Sequence, residues 1–450
     1  HNFAPTVAMN PILYFLNTLK NREVSFDINK VKKYYPDVAA HLGVTKPNIE
    51  TLNYKREVIP EKRFKQQPNV VVVILESFSN YKTGVSGNPL NPTPHVDGLA
   101  NNGIYFNHFY TPSTGTARSI WTAVTSTPDV EPHKTSTRNP LIVRQNTLIN
   151  AFKDYEKLYF IGGSASWGNI RGLLSSNIPN LKLYEEGSYA SPRMDVWGIS
   201  DIHLFEEANN VLKIQDKPFF SIIQTSGNHR PYNIPEDNHG FVSKKITRKE
   251  AKANGFQSND EYNAFRFMDH SVGFFMQQAK KEKYFDNTIF VFFGDHGVHG
   301  TGGHMTEAQR QLHLNAINVP LIIYAPKLLK SKKYTFAASE VDVLPTVTSL
   351  AGIPHTNHSI GSDLLDPNIN KNRVVFTMEH SQPWLISMVG EKVMFSDTTL
   401  NTKPTLHDLT SKEPRKDISN KNPKEAERLK RLTFGIYETL KYMRYNNKPE

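Results

Sequence analysis

Three separated segments carry side chains that could do chemistry together: NVVVVILESFS (69–79), STGTARS (113–119) and NTIFVFFGDHG (287–297). In the first and third, an apolar run too continuous for a strand with one wet face ends abruptly in Glu76, or in Asp295 and His296. That is the pattern of a buried parallel strand with chemistry at its carboxyl end. A carboxylate beside an imidazole, joined by Glu76 from another strand end, makes a mixed oxygen and nitrogen donor set suited to Zn, Mn or Mg. Taken alone, such an Asp and His pair is usually a capping Asp next to a solvated His. Neighbouring strand residues point to opposite faces, so these two reach one ion only where the strand stops and the backbone bends. Gly294 and Gly297 would permit that bend.

STGTARS has the small, hydroxyl-rich character of a turn leading into a helix, continued by Ile120, Trp121, Ala123 and Val124 as packing residues. Its plainest role is an N-cap. The sharper alternative places one Thr hydroxyl at a helix N-terminus beside a cation, where ion and dipole both stabilise the alkoxide. A free Thr hydroxyl is a weak nucleophile and needs such help. Phosphoryl or sulfuryl transfer suits the site, with Arg118 and a metal neutralising charge on the equatorial oxygens.

The elements that must hold these groups follow from the alternation of apolar runs with helical or loop-like stretches. VVVVIL (70–75), KLYFIG (157–162), PFFSII (218–223), TIFVFF (288–293) and VPLIIY (319–324) read as strands of a mostly parallel sheet covered on both faces. Between two of them, Phe265, Met268, Val272, Phe275 and Ala279 recur at three- and four-residue spacing and predict a crossover helix over 262–280. WLISMVGEKVMFS (384–396) reads as a hairpin turning at Gly390, and Pro423 opens a helix with Leu429, Leu432, Ile436, Leu440 and Met443 on one side. The expected fold class is α/β, a mostly parallel central sheet sandwiched by helices. The expected divisions are an arm or linker over 1–66, with an amphipathic stretch at 11–19, a catalytic domain over 67–365 and a small α+β subdomain over 366–450.

Composition bounds the partners. The chain has 450 residues, is 38% hydrophobic and carries 53 Lys and Arg against 43 Asp and Glu, a formal charge of +10. It can bury a large core, and its basic balance favours anionic surroundings such as phospholipid head groups. No aromatic and basic run resembles an RNA-binding strand, so nucleic acid is not an expected partner. The absence of cysteine excludes disulfides, thiolate ligands and a cysteine nucleophile. The apolar runs are far shorter than the roughly 20 residues of a membrane-spanning helix. The chain starts at His1 without an initiator Met, so it is expected to be the soluble part of a longer protein.

From about residue 68 to 420 the chain resembles the alkaline phosphatase and sulfatase superfamily. More narrowly, it is similar to the branch of lipoteichoic acid synthases, phosphoglycerol transferases and phosphoethanolamine transferases. The matching pieces are ILES (74–77), TPHVDGLANNGIYFNHFY (93–110), GTARS (115–119), WGISDIHLF (197–205), GDHG (294–297) and VDVLPTVTSLAGI (341–353). The resemblance implies that Glu76, Thr116, Asp295 and His296 hold one divalent metal ion (Mn, Zn or Mg) and that Thr116 is also the nucleophile. Thr114, four residues before Arg118, is the alternative nucleophile by the sulfatase spacing. Sulfatases use a formylglycine made from Cys or Ser in a C/S-x-P-x-R motif, whereas this chain has neither the Cys nor that Pro. His229 in QTSGNHRPY matches a family His on the phosphate or leaving oxygen. Trp167, Asn169 and Arg171 stand where relatives carry an aromatic, Asn and Arg cluster around the head group. His299 and His304 would approach the substrate or a second metal, or else lie in a solvated Gly-rich loop.

The implied activity is metal-dependent transfer of a phospho-head group, phosphoglycerol or phosphoethanolamine, from an anionic or zwitterionic phospholipid donor to a glycan or lipid acceptor of the cell envelope. The alternatives are a sulfatase or phosphodiesterase-type hydrolase and a catalytically silent envelope scaffold. By the same resemblance the protein belongs at a cell membrane, its catalytic domain in the periplasm or outside the cell. Lys20, Arg22, Lys30, Lys32 and Lys33 would then face the membrane surface, or form a solvated linker.

Overall fold

The computed structural model of the chain describes residues 26–449. It opens with α1 (Ile28–Leu42) and the short β1 (Arg56–Val58) and enters the main sheet at β2 (Asn69–Leu75). There follow α2 (Pro94–Asn102), β3 (Ile104–Tyr110), α3 (Thr116–Thr125), β4 (Glu156–Ile161), α4 (Ile170–Asn177) and β5 (Leu181–Tyr184). Next come α5 (Asp201–Leu212), β6 (Phe219–Gln224), α6 (Asn259–Ala279), β7 (Thr288–Gly294) and β8 (Asn318–Tyr324). Two short strands, β9 (Lys332–Tyr334) and β10 (Ala338–Ser339), precede α7 (Val343–Leu350) and β11 (His355–Asn357). β12 (Val375–Glu379), β13 (Leu385–Val389), β14 (Val393–Thr398) and β15 (Thr405–Asp408) lead to the long α8 (Pro423–Asn446).

The main sheet has the order β10-β3-β8-β7-β2-β6-β4-β5, with β9 added at β3. Its pairs are parallel except where β8 runs against β3 and β7. A strand without a polar face must be covered on both sides. β2 and β7 are buried along their whole lengths. Val70, Val72 and Ile74 point to one side and pack with Ile120, Trp121 and Val124 of α3 and Leu344 and Val347 of α7. Val71, Val73 and Leu75 point to the other and meet Phe205 of α5 and Phe265, Met268 and Val272 of α6. The expected layered α/β class is therefore the one observed, and α6 is the crossover that returns the chain from β6 to β7.

The antiparallel sheet β12-β13-β14-β15 stands apart from the main one. Gly390 closes the β13 to β14 hairpin, its N–H donating to the Val393 carbonyl at 2.8 Å. Residues 1–66 depart from the expected arm or linker over their described part. Asp27 caps α1 by accepting from the Asn29 N–H at 2.9 Å, and Gly43 ends it in the left-handed conformation. Val31, Tyr35 and Val38 then pack with Leu429, Leu432, Ile436 and Leu440 of α8 and with Ile386 and Met388 of β13. The stripe has helical spacing, but Pro36 and the surrounding lysines gave the stretch a linker's composition. Lys30 and Lys33 are exposed on α1, and Lys32 pairs with Glu50 at 2.7 Å. The stretch 11–19, Lys20 and Arg22 lie outside the described residues.

α1 and α8 approach closely at Gly435, where a Cβ would stand 2.8 Å from Val38 Cγ2 and 3.1 Å from Tyr34 Cβ. Gly435→Leu should push the helices apart and cost about 1–3 kcal/mol, the usual penalty of overpacking. Thermal and urea unfolding of the purified protein would register the loss.

Candidate active site

Strand register alone brings two of the acids together. β2 and β7 are adjacent and parallel with Leu75 opposite Gly294, so Glu76 and Asp295 leave the sheet side by side at its carboxyl edge. The Asp295 N–H still donates to the Leu75 carbonyl at 3.0 Å. Gly294 and Gly297 serve this edge by leaving room rather than by an unusual dihedral. A Cβ on Gly294 would sit 2.6 Å from the Phe78 carbonyl oxygen, and one on Gly297 2.3 Å from that of Asn315.

Glu76, Asp295 and His296 place one donor atom each within 4.8 Å of one another. Asp295 Oδ1 accepts the backbone N–H groups of Ser77 and His296, both at 2.7 Å, while buried Oδ2 has no hydrogen-bond partner and lies 3.6 Å from His296 Nε2. His296 Nδ1 donates to the Gly297 carbonyl at 2.8 Å, which leaves Nε2 as the lone-pair nitrogen turned toward the acids. Glu76 Oε1 accepts from the Ser77 hydroxyl at 2.6 Å, and its Oε2 from Thr116 Oγ1 at 3.2 Å. Thr116 is the first residue of α3, behind Gly115 at φ 99°, so its hydroxyl stands at the positive end of the helix.

The electrostatics are those of acids crowded in a dry place. Burial, and then the Asp295 carboxylate, push Glu76 up to about 8 against the opposing pull of His296, Ser77 and Thr116. Burial disfavours charge on His296, but Asp295, Glu76 and the Gly297 carbonyl outweigh it and raise the imidazole above its ordinary value. An orphaned carboxylate oxygen, an imidazole nitrogen turned toward it and a second carboxyl crowded against both make a donor set that fits a divalent cation.

Elsewhere the structure sorts the expected residues. His229 follows β6; its Nδ1 donates to the Arg230 carbonyl at 3.0 Å, and its ring lies 4.1 Å from that of Trp197. The preceding Asn228 donates to the Glu76 carbonyl at 3.1 Å, which ties this loop to the acid cluster. Trp167 is half exposed and stands edge-on to Trp197 at 6.4 Å, so an aromatic strip leads to His229. Thr114 is exposed and, among the described residues, makes no hydrogen bond to the cluster.

Four expected substrate contacts, and His299 beside them, have other partners. Arg118 is buried against Asp129 at 3.2 Å and donates to the Glu131 carbonyl at 2.8 Å, because a guanidinium under a helix must be neutralised locally. It fastens residues 129–134 instead of meeting an equatorial oxygen. Asn169 adopts φ 59° and donates to the Thr137 carbonyl, and Arg171 pairs with Glu185. His304 Nε2 is held on the Tyr81 carbonyl at 2.6 Å, and His299 faces His313 at 5.4 Å between ring centroids.

The reading of the sequence passed over Ser77, Thr225 and Trp197. Ser77 takes φ 52° to bond both acids at once, and Thr225 Oγ1 accepts the Glu76 N–H at 2.9 Å. Ser77 stands beside Glu76 in ILES, so adjacency to a candidate ligand was its one signal; for Thr225 there was none.

The sheet and its helical layers, with the acid cluster at the strand ends, have the fold of the alkaline phosphatase superfamily. Within it the chain belongs to the Sulfatase family, whose model matches residues 68–353. It is 23% identical to lipoteichoic acid synthase 1 of Bacillus subtilis, over 76% of this chain and 56% of that one. It is 22% identical to an ulvan-active sulfatase of Formosa agariphila, over 80% of this chain and 76% of that one. Among solved structures, a protein in the alkaline phosphatase superfamily from Vibrio parahaemolyticus superposes with a TM-score of 0.75 at 22% identity, covering 94% of this chain and 98% of its own. The chain spans about half the length of the curated lipoteichoic acid synthases it matches.

A cation and the Glu76 proton compete for one place. Below about pH 8 the proton must leave as Mn²⁺ or Zn²⁺ binds, so affinity should rise from pH 6.5 to 8.5 with proton release in calorimetry. Asp295→Ala should abolish binding at this cluster.

Proposed function

We propose that the protein transfers a phospho-head group, phosphoglycerol or phosphoethanolamine, from a membrane phospholipid to a glycan or lipid acceptor through a phospho-threonine. The observation that carries this reading is an unmodified Thr116 hydroxyl at a helix N-terminus, 3.2 Å from Glu76 of the acid cluster. Sulfatase chemistry would want a Cys or Ser precursor of formylglycine, and the chain has Thr at both 114 and 116.

Glu76, Asp295, His296 and Thr116 would hold one divalent ion, Mn, Zn or Mg. When bound, it would supply positive charge that favours the Thr116 alkoxide and offsets charge on the phosphoryl oxygens. Once its hydroxyl proton has passed to solvent, Thr116 Oγ1 attacks the donor phosphorus as the alkoxide, the new P–O bond forms, and the P–O bond to diacylglycerol breaks. With Nδ1 fixed on the Arg230 carbonyl, the His229 imidazolium gives its Nε2 proton to the departing alkoxide. Neutral His229 then takes the acceptor's hydroxyl proton as that oxygen displaces Thr116 and restores it. The Trp167 and Trp197 strip offers a surface for the head group or the acceptor. No helix among the described residues is long and apolar enough to cross a membrane. We place the domain at the outer face of a cell membrane, in the periplasm or outside the cell, where its basic surface meets phospholipid.

Intact-mass analysis after incubation with Mn²⁺ or Zn²⁺ and vesicles of phosphatidylglycerol or phosphatidylethanolamine tests the reading. A head-group phosphate adduct mapped to residues 107–125, on Thr116, is expected. Turnover of an aryl sulfate with Thr116 never modified would sink the transferase and leave a hydrolase. Thr116→Ala should lower donor cleavage by at least about 10³-fold, as loss of a nucleophile does, whereas Thr114→Ala should retain it. His229→Ala should cost roughly 10²-fold and flatten the pH profile of the first step.

A further inference from the structure

We infer that the protein has a second divalent-metal site, away from the acid cluster, formed by His203, Asp237 and His239 with Glu206 as a fourth ligand. Its natural occupant is Zn²⁺, since two imidazoles and carboxylates are the donors that ion prefers.

His203 and Glu206 lie three residues apart on α5, on one helix face. Asp237 and His239 come from the loop that follows β6 and bears His229. His203 is almost wholly buried, and its Nδ1 is 2.8 Å from the hydroxyl of Ser200, the residue that caps α5. Ser200 Oγ also accepts the His203 N–H at 3.4 Å. In the tautomer whose Nδ1 donates to that oxygen, His203 turns an Nε2 lone pair outward, and the Ser200 contact fixes the ring as such contacts fix metal-bound histidines.

The donor atoms converge at distances that are not hydrogen bonds. His203 Nε2 is 3.6 Å from Asp237 Oδ2, and His239 Nε2 is 4.0 Å from Asp237 Oδ1 and 3.9 Å from Glu206 Oε2. The donors of His203, Asp237 and His239 all fall within 4.8 Å of one another. Ligands about 2.0–2.1 Å from a tetrahedral zinc stand roughly 3.3–3.4 Å apart. Bringing these pairs to that spacing takes contractions of roughly 0.2 to 0.7 Å, and more for Glu206, which stands outside the 4.8 Å group; the exposed Asp237 and half-exposed Glu206 side chains are the parts that move.

The position gives the site a purpose. The loop is already pinned at its start, where Asp201 of α5 accepts the Ser226 N–H at 2.9 Å and the Gly227 N–H at 3.0 Å. Trp197 Nε1 holds it at the Arg230 carbonyl, at 2.8 Å. A metal on His203 and Glu206 would pin its far end to the same helix. His229 lies between the two pins, so this ion would order the loop without meeting the substrate.

The test counts metal independently of turnover, so it stands or falls apart from the transferase reading. Chelator-treated Asp295→Asn protein, with the acid cluster disabled, is titrated with Zn²⁺ by calorimetry while hydrogen exchange is followed over residues 229–240. One equivalent bound, with exchange slowed in that loop, is expected. Adding His239→Asn, which keeps a residue tolerant of the left-handed φ of 51° at this position, should remove the equivalent or weaken it at least about tenfold. Asp237→Asn, on an exposed side chain, should weaken it as well. No zinc bound by Asp295→Asn protein, or binding that neither substitution changes, overturns the site. Binding without slowed exchange overturns its role in ordering the loop.

Discussion

The parallel pairing of β2 with β7, Leu75 against Gly294, is the constraint on which the rest of the site depends. Two strands in that register must deliver Glu76 and Asp295 to neighbouring places at the same sheet edge. Carboxylates set so close in a dry region cannot both be charged without a compensating positive neighbour. Much of the local structure answers that problem. Ser77 bonds both acids, the His296 ring turns its lone pair toward them, and the Thr116 hydroxyl reaches Glu76 from the end of a helix. Each stabilises the charge in part, and together they shape a place where a cation completes the electrostatics.

Holding that register calls for rigidity on both faces of the sheet. α3 and α7 cover one side and α5 and α6 the other, with large side chains such as Trp121 and Phe205 fully buried. α3 packs its apolar residues into the core and presents its first residue to the acids, so the packing that stabilises the domain also sets the Thr116 hydroxyl. Beneath it Glu340 is pushed well above the usual carboxylate range by burial and accepts the Ser119 hydroxyl at 2.5 Å. That hydrogen bond ties α3 to the turn that opens α7.

The loop after β6 is held in a different manner. It has few apolar anchors and relies on polar pins: Asp201 at its start, Asn228 to Glu76, and Trp197 at the Arg230 carbonyl. Segments of that kind open at lower cost than the core.

The sequence by itself determined the layered α/β class, five of the strands, the crossover helix, the final hairpin and the helix opened by Pro423. These depend on local periodicity and turn chemistry, which need no partner to be read. It also pointed to Glu76, Asp295 and His296, because an apolar run that ends in a charged side chain is visible within the run itself. Thr116 and Thr114 are equivalent as residues; the family resemblance favoured Thr116, and the start of α3 is what sets its hydroxyl on Glu76. Tertiary structure alone decided the fates of Arg118, Asn169, Arg171 and His304, for each is held by a partner from another segment, Asp129, Thr137, Glu185 or Tyr81, that its own neighbourhood does not name. The same reason hid the union of α1 with α8, nearly four hundred residues apart along the chain. Local spacing can show that a face is apolar, but only the folded chain decides what covers it.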